Sequence, residues 1–361
     1  MKAAIFHGPN QPLVIEHVEV DKPMANEVLI RTVASGVCHS DLHFVDGLYP
    51  HPAPAILGHE AAGIVEEVGS AVTYVKPGDH VISCPSVFCG QCDYCMVGRP
   101  NLCMNKAAIQ RSKSERPRIT LKGQPVHQFV DLSTYADKML VHEHAIVKIR
   151  SDFPLDLAAL IGCGVTTGVG AALNTAKVEP GSTVAVFGTG GVGLSVIQGA
   201  LIAGARQIIA VDVFENKLAM AKRFGATDTV DASSTDPVKA IKQMTGGGVD
   251  YSFEAIGLKK TAEQSFYCLA PGGTATLIGM IPVGQKIEID GRHLLTEKKL
   301  QGSNMGSNRF RIDMPRYIDF YMQGRLKLDE MISRRGRLED VNEAFRAMKA
   351  GEVARTVLMF D

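Results

Sequence analysis

The sequence predicts an α/β protein: a parallel sheet with helices on both faces over residues 165–304, flanked by mostly-β chain. Three observations carry this. Four near-continuous apolar runs, at 183–188, 207–213, 249–257 and 272–280, alternate with helix-like segments. Before residue 150, apolar and polar residues alternate in short runs punctuated by Gly and Pro. One tight glycine cluster, Gly188 to Gly193, joins the first apolar run to a helix-like segment.

Taken in order, LVIEHVEV (13–20), EVLIRTVAS (27–35) and GIVEEVG (63–69) have the period of half-buried strands. Gly8-Pro9, Pro50 to Pro54 and Pro77-Gly78-Asp79 mark turns between such strands. Residues 84–126 are rich in Cys, Arg, Lys and Pro and show no sustained period, so they predict a lobe unable to bury a core of its own. From 165 the apolar runs suit strands covered on both faces, as parallel strands are. VGLSVIQGALIAGA, ENKLAMAKRFGA, DPVKAIKQMTG and KTAEQSFYCLA supply the covering helices. The tail predicts helices near 313–324 and 339–350, then a strand over 355–360.

Composition narrows the function. A chain of 361 residues suggests two or three domains, and 45% hydrophobic with 21% charged residues is a globular composition. With 38 Lys+Arg against 38 Asp+Glu, the chain carries no overall field for a polyanion, so no nucleic-acid partner is expected. The opening MKAAIFHGPNQ lacks the charged and apolar regions of a secretion signal, which predicts a cytoplasmic protein with reduced thiols. Residues 181–205 contain no charge and are long enough to span a bilayer, but they hold seven glycines. A strand, a glycine turn and a buried helix fit that stretch better, and no membrane partner is expected.

Gly188-Thr189-Gly190-Gly191-Val192-Gly193 is G-x-G-x-x-G, placed between an apolar run and a helix. In a Rossmann domain Gly188 makes the tight turn, Gly190 lets backbone approach a pyrophosphate, and Gly193 lets the helix pack on the strand. The N–H groups at Gly191 and Val192 and the positive end of the helix dipole then face the phosphates. Asp212, 19 residues after Gly193, is placed to accept hydrogen bonds from the adenosine ribose diol. A 2′-phosphate there would meet a carboxylate, which favours NAD over NADP. The competing reading is a structural glycine turn and a surface Asp.

Cys89, Cys92, Cys95 and Cys103 read C-x2-C-x2-C-x7-C. Four thiolates in a coreless lobe suit a tetrahedral structural zinc, which supplies the folding energy the segment lacks. An iron–sulfur cluster, a redox pair and a nucleic-acid zinc module are the alternatives. The last draws on the basic residues between Arg99 and Lys122, which otherwise read as a solvated face. Cys38, His59 and Cys163 are dispersed. Together they form a Cys₂His set able to hold zinc with an open fourth position, although each alone reads as a buried core residue.

GVCHSDLH, GHEAAG, the four-cysteine lobe, IGCGVTTGVGAALNTAKVEPGSTVAVFGTGGVGLSVIQGA and ARTVLMF together resemble the zinc-dependent medium-chain alcohol dehydrogenases over essentially the whole chain. Residues 104–126 look like the long, dimeric animal-type branch. The resemblance implies a GroES-like catalytic domain, 1–164 and 305–361, with a Rossmann domain, 165–304, inserted in it and the site in the cleft between them. It implies two zinc ions per chain, NAD, an alcohol or aldehyde substrate and a homodimer whose seam is an edge strand near 275–282. Cys38, His59 and Cys163 would hold the catalytic zinc, with Asp41 orienting His59 and Glu60 behind the metal. Ser40 would take the alcohol proton and pass it towards His43. His39 and Arg355 would contact phosphate, Lys217 the adenosine ribose, and Thr167 and Ile278 would lie at the coenzyme.

The resemblance also bears on the substrate. Pro85 stands where several relatives carry an aromatic, and Tyr49 and Phe129 would line the pocket. Glutathione-dependent formaldehyde dehydrogenases of this branch carry an Arg shortly after the last lobe cysteine, where this chain reads Met104-Asn105-Lys106-Ala107. An apolar, aromatic or allylic primary alcohol is therefore preferred. The other readings are a polyol or S-hydroxymethylglutathione dehydrogenase on the same scaffold, and a non-catalytic, zinc-stabilised dinucleotide-binding protein.

Overall fold

The computed structural model describes residues 1–361. The chain divides into two compact units. One comprises Met1–Cys163, Arg309–Gly324 and Leu328–Asp361, and the other Gly164–Asn308 with Arg325–Lys327.

The second unit is a six-stranded, all-parallel sheet. Numbered along the chain, Thr183–Phe187, Gln207–Asp212, Asp228–Asp231, Val249–Glu254, Leu269–Leu277 and Lys299–Gly302 lie in the order 3-2-1-4-5-6. This is the doubly wound Rossmann order, whose switch point lies between the first and fourth strands. Thr183–Phe187 is buried along its whole length, as its unbroken TVAVF run requires. The helix Pro237–Thr245 shows how local sequence sets the connections. Asp236 caps it by accepting from the N–H groups of Val238 (3.0 Å) and Lys239 (3.3 Å), and Gly246, at φ +71°, ends it.

Two strands escape the sequence pattern. DTVD at 228–231 and KLQG at 299–302 are short and polar, so neither gives an apolar run. The second corrects the expected seam near 275–282. Leu269–Leu277 is an interior strand, paired on one side by Val249–Glu254 and on the other by Lys299–Gly302, so its backbone groups are taken. On that side the edge strand is Lys299–Gly302, and on the other it is Asp228–Asp231.

The first unit is mostly β. Its larger sheet runs Ile146–Lys148, His80–Ser83, Glu60–Val68, Glu27–Gly36, Arg355–Met359, Ile332–Gly336, with Lys138–His142 also paired to Glu27–Gly36. The C-terminal strand thus closes on the chain's beginning, with Val357 opposite Gly36. EVLIRTVASG reads as a half-buried strand but is buried at eight of ten positions, because Val28 and Ile30 join an apolar cluster and the helical segment Leu155–Leu160 packs on the same strand.

The chain crosses between units within the apolar helix Leu155–Ala176. This is the one helix long and apolar enough to cross a bilayer, and 89% of its apolar window is buried inside the protein. It widens to π geometry over Ile161–Val165 and again over Ala171–Ala176. The glycine-rich stretch 181–205 is a strand, a turn and the helix Gly191–Ile202.

The basic segment 99–122 is only in part the solvated face expected of it. The side chains of Arg111 and Arg118 are each 7% exposed and grip Glu27. Arg111 Nε donates to Glu27 Oε1 (3.0 Å) and its NH1 to Asp21 Oδ2 (2.6 Å), while Arg118 Nε donates to Glu27 Oε1 (2.7 Å). Glu27 is 4% exposed. These arginines clasp the coreless segment to the sheet.

Candidate active site

Sheet register assembles the dispersed ligand set. Gly36 lies opposite Glu60 across the antiparallel pair Glu27–Gly36 and Glu60–Val68. Cys38, two residues beyond the first strand, therefore meets His59, which immediately precedes the second. Cys163 comes from the widened helical turn Ile161–Val165. That turn lies directly on the sheet: a Cβ at Gly162 would stand 3.0 Å from the Ser83 carbonyl and 3.3 Å from Glu60 Cα. The ligand atoms of Cys38, His59, Glu60 and Cys163 lie within 4.8 Å of one another, and all four residues are buried.

Asp41 fixes the imidazole. It is fully buried and faces His59 Nδ1 at 3.1 Å through Oδ1, which also accepts from the Gly58 N–H at 3.0 Å. Its Oδ2 accepts from the Tyr135 hydroxyl at 2.8 Å. With Nδ1 held, Nε2 is the ring nitrogen left for an ion. Burial alone would lower the His59 pKa, but the Asp41 carboxylate and the Cys38 sulfur outweigh it and raise it. The hydrogen bond from Cys163 and the nearby His59 hold Cys38 well below the ordinary thiol range, and the same bond and burial hold Cys163 above it. Two converging sulfurs, with an oriented imidazole beside them, are a donor set that zinc binds on displacing their protons.

The lobe forms a second set. The sulfurs of Cys92 and Cys95 are 3.5 Å apart, Cys92 and Cys103 3.9 Å, Cys89 and Cys95 4.0 Å. Tetrahedral Zn–S bonds of about 2.3 Å require S···S near 3.8 Å. Backbone N–H groups of Gln91 and Cys92 point at Cys89 Sγ (3.5 and 3.4 Å), and the Cys89 N–H points at Cys103 Sγ (3.2 Å). The backbone N–H groups of Cys95 and Met104, then the neighbouring thiols, lower Cys92 to about 6, while Cys95 is pushed to about 12, first by burial. Both sets fit zinc.

At the glycine turn, Gly188 has φ +88°, and a Cβ there would collide with Ile256. A Cβ at Gly193 would collide with the Gly188 carbonyl, whereas at Gly190 it would meet nothing within 4 Å. The first and third glycines are thus needed for packing, and the second leaves open space beside the start of the helix Gly191–Ile202, which has no side-chain cap. Those are the demands of a pyrophosphate cradle.

Known proteins resemble this chain over essentially its whole length. Residues 24–151 match the alcohol dehydrogenase GroES-like domain and 191–323 the zinc-binding dehydrogenase domain. An alcohol dehydrogenase class-3 of Pisum sativum is 42% identical, with 99% of this chain and 97% of the relative covered. A zinc-binding domain protein of the alcohol dehydrogenases from Burkholderia ambifaria superposes at TM-score 0.95 with 35% identity, covering 100% of this chain and 98% of that one. A benzyl alcohol dehydrogenase from Acinetobacter calcoaceticus superposes at TM-score 0.94 with 32% identity, covering 100% and 99%.

The chain belongs to the zinc-dependent medium-chain alcohol dehydrogenase family.

It is thus a zinc-dependent oxidoreductase using a nicotinamide dinucleotide, with a Rossmann domain inserted in a GroES-like domain. Within this alcohol dehydrogenase, the remaining predicted residues fall as follows. His39 and Ser40 open the helix His39–Val45, with Ser40 Oγ 3.6 Å from Cys38 Sγ. His39 is exposed. His43 is half-buried on the same helix, and burial lowers its pKa. Phe129, 5.6 Å from the His59 ring centroid, packs on Phe44 (4.8 Å), and Phe44 on Tyr49 (5.7 Å), forming an aromatic wall beside the ligand set. In the Rossmann unit, the Thr167 hydroxyl lies 3.3 Å from Met305 Sδ, Lys217 Nζ sits 4.8 Å over the Phe214 ring, and the Ile278 N–H donates to the Glu254 carbonyl at 2.8 Å.

Arg355 has a partner that sequence reasoning did not foresee. The expected phosphate contact is a buried side chain, 5% exposed, whose guanidinium donates to Glu60 Oε2. It lies behind the ligand set because its strand pairs with Glu27–Gly36, and the Glu60 carboxylate, itself buried, draws the cation inward. Burial raises the Glu60 pKa to about 7 despite this cation. Sequence reasoning missed Tyr135, Glu27 and Phe44; a Tyr within a short polar stretch carries no signal that it will meet an Asp 94 positions away.

Proposed function

We propose that this enzyme oxidises primary alcohols of apolar, aromatic or allylic character with NAD, reversibly, at a zinc held by Cys38, His59 and Cys163. The observation that carries the reading is the buried convergence of those three donors with Asp41 locked on His59. When bound, zinc supplies Lewis-acid polarisation of the substrate oxygen and the nicotinamide supplies the hydride acceptor. The protein's own groups do the rest. Asp41 keeps His59 Nδ1 engaged. Ser40 Oγ, beside Cys38, takes the alcohol proton, and His43, whose burial favours the neutral base, accepts it onward. The wall of Phe129, Phe44 and Tyr49 excludes water and favours an apolar substrate.

Cys89, Cys92, Cys95 and Cys103 hold the structural zinc in this reading, and the glycine turn and Asp212 hold the coenzyme. The kinship to a benzyl alcohol dehydrogenase supports the aromatic preference. The class-3 name of the Pisum sativum relative favours S-hydroxymethylglutathione as a second reading, against which stands the absence of an Arg in Met104 to Ala107. A homodimer in the cytoplasm completes the proposal, since thiols committed to metal need a reducing compartment. The test is NADH formation from benzyl, cinnamyl, ethyl and S-hydroxymethylglutathione substrates at equal concentration. Benzyl or cinnamyl alcohol should give the highest kcat/KM; a preference for the glutathione adduct would overturn the substrate assignment.

A further inference from the structure

Asp212 closes the strand Gln207–Asp212, and its carboxylate is already fully engaged by the chain itself. Oδ1 accepts from the N–H groups of Val213 (2.8 Å) and Phe214 (3.2 Å). Oδ2 accepts from the Thr189 N–H (2.8 Å) and the Thr189 hydroxyl (2.9 Å). A carboxylate offers about four lone-pair sites, so none is left over. Three of the four donors are backbone groups fixed by the fold. The fourth is a rotatable hydroxyl, on a residue 1% exposed, beside the open space at Gly190.

We propose that the Thr189 hydroxyl sets coenzyme affinity by occupying the lone pair of Asp212 that an adenosine ribose hydroxyl needs. This rests on the reading of Asp212 as the ribose acceptor of NAD. Binding the diol then exchanges one O–H donor on the carboxylate for another, and the displaced Thr189 hydroxyl must find a new acceptor where little water reaches. The net gain is smaller than for an unfilled carboxylate. The same hydroxyl also spreads the Asp212 charge, which softens the repulsion of a 2′-phosphate. Thr189 is therefore a positioning residue acting through Asp212, with opposite effects on the two coenzymes: its hydroxyl weakens NAD(H) and favours NADP(H).

The isostere Thr189→Val removes the hydroxyl and keeps the backbone N–H and the branched shape; Thr189→Ser keeps the hydroxyl. A hydrogen bond to a charged group is worth on the order of tenfold in an equilibrium constant, part of which the competing donor cancels. With zinc-loaded enzyme, Kd is measured by calorimetry for NADH, NADPH, AMP and nicotinamide mononucleotide. T189V should bind AMP and NADH about threefold or more tightly than wild type and NADPH less tightly, with the mononucleotide unchanged; T189S should match wild type. Equal or weaker binding of AMP and NADH by T189V overturns the proposal. So does an equal shift for AMP and the mononucleotide, which would mean a distorted turn. Wild type that binds neither AMP nor NADH would instead overturn the coenzyme reading itself.

Discussion

Replacing Asp41 with Asn tests the catalytic site without touching a metal ligand. The carboxylate engages three partners in a fully buried setting: His59 Nδ1 at 3.1 Å, the Gly58 N–H at 3.0 Å and the Tyr135 hydroxyl at 2.8 Å. Asn keeps the shape, and its oxygen can still accept from Gly58 and His59. It loses the negative charge, so a charge-assisted bond to the imidazole becomes a neutral one of about half the strength. The imidazole is then a poorer donor and less firmly held. Partners of this kind are worth about 10–100-fold in metal affinity, or roughly 1.4–2.7 kcal/mol. Competition between the apoenzyme and a chromophoric chelator measures the two zinc affinities separately. The expected result is a catalytic-site affinity lowered at least tenfold, with the four-cysteine affinity unchanged. Tyr135→Phe removes one donor and leaves the charge, so it should cost about 1 kcal/mol of stability and little zinc. Unchanged catalytic-site affinity in Asp41→Asn would refute the orienting role. A parallel fall at both sites would mean that the fold, not the imidazole, had been damaged.

Three further outcomes are expected. Glu27→Gln leaves Arg111 and Arg118 buried without their shared anion, which should destabilise the enzyme by about 3 kcal/mol and open 104–126 to limited proteolysis; a lobe as resistant as wild type would exclude the clasp. Burial, then the neighbouring His144 and Arg118, hold the His142 pKa down at about 4, so between that value and about 6.5 only the unfolded chain takes up the proton. Stability from this group is thus complete above about pH 6.5 and falls as pH drops towards 4, by on the order of 1 kcal/mol after allowance for its partial exposure. His142→Asn should flatten that part of the Tm-against-pH curve, and an unaltered slope would count against it. Gly162→Val adds bulk where a Cβ alone already stands 3.0 Å from the Ser83 carbonyl, so zinc content measured by atomic absorption should drop from about two to about one per chain, while the circular dichroism spectrum stays native. Two full zinc equivalents would show that the helix tolerates displacement.

The sequence by itself determined whatever is encoded by near neighbours. The glycine turn is legible because strand, turn and helix N-terminus are consecutive, and Gly188 and Gly193 each answer a local steric demand. The lobe's four cysteines are legible because C-x2-C turns converge on their own. Long apolar strands declare a parallel sheet, while DTVD and KLQG, which bring one apolar residue each to the core, Val230 and Leu300, show no apolar run. Residues that act together across long separations were open to recognition only through family likeness. That likeness grouped Cys38, His59 and Cys163 as a set, which the fold brings within 4.8 Å, but it did not foresee that Arg355 would meet Glu60. Tertiary structure alone decided that Tyr135 supports Asp41, that Arg111 and Arg118 close on Glu27, and that Thr189 fills the last lone pair of Asp212. Periodicity records which side of a strand or helix is buried; it does not record which distant polar group will be waiting there, because sheet register and helix packing bring the two together only in the folded chain.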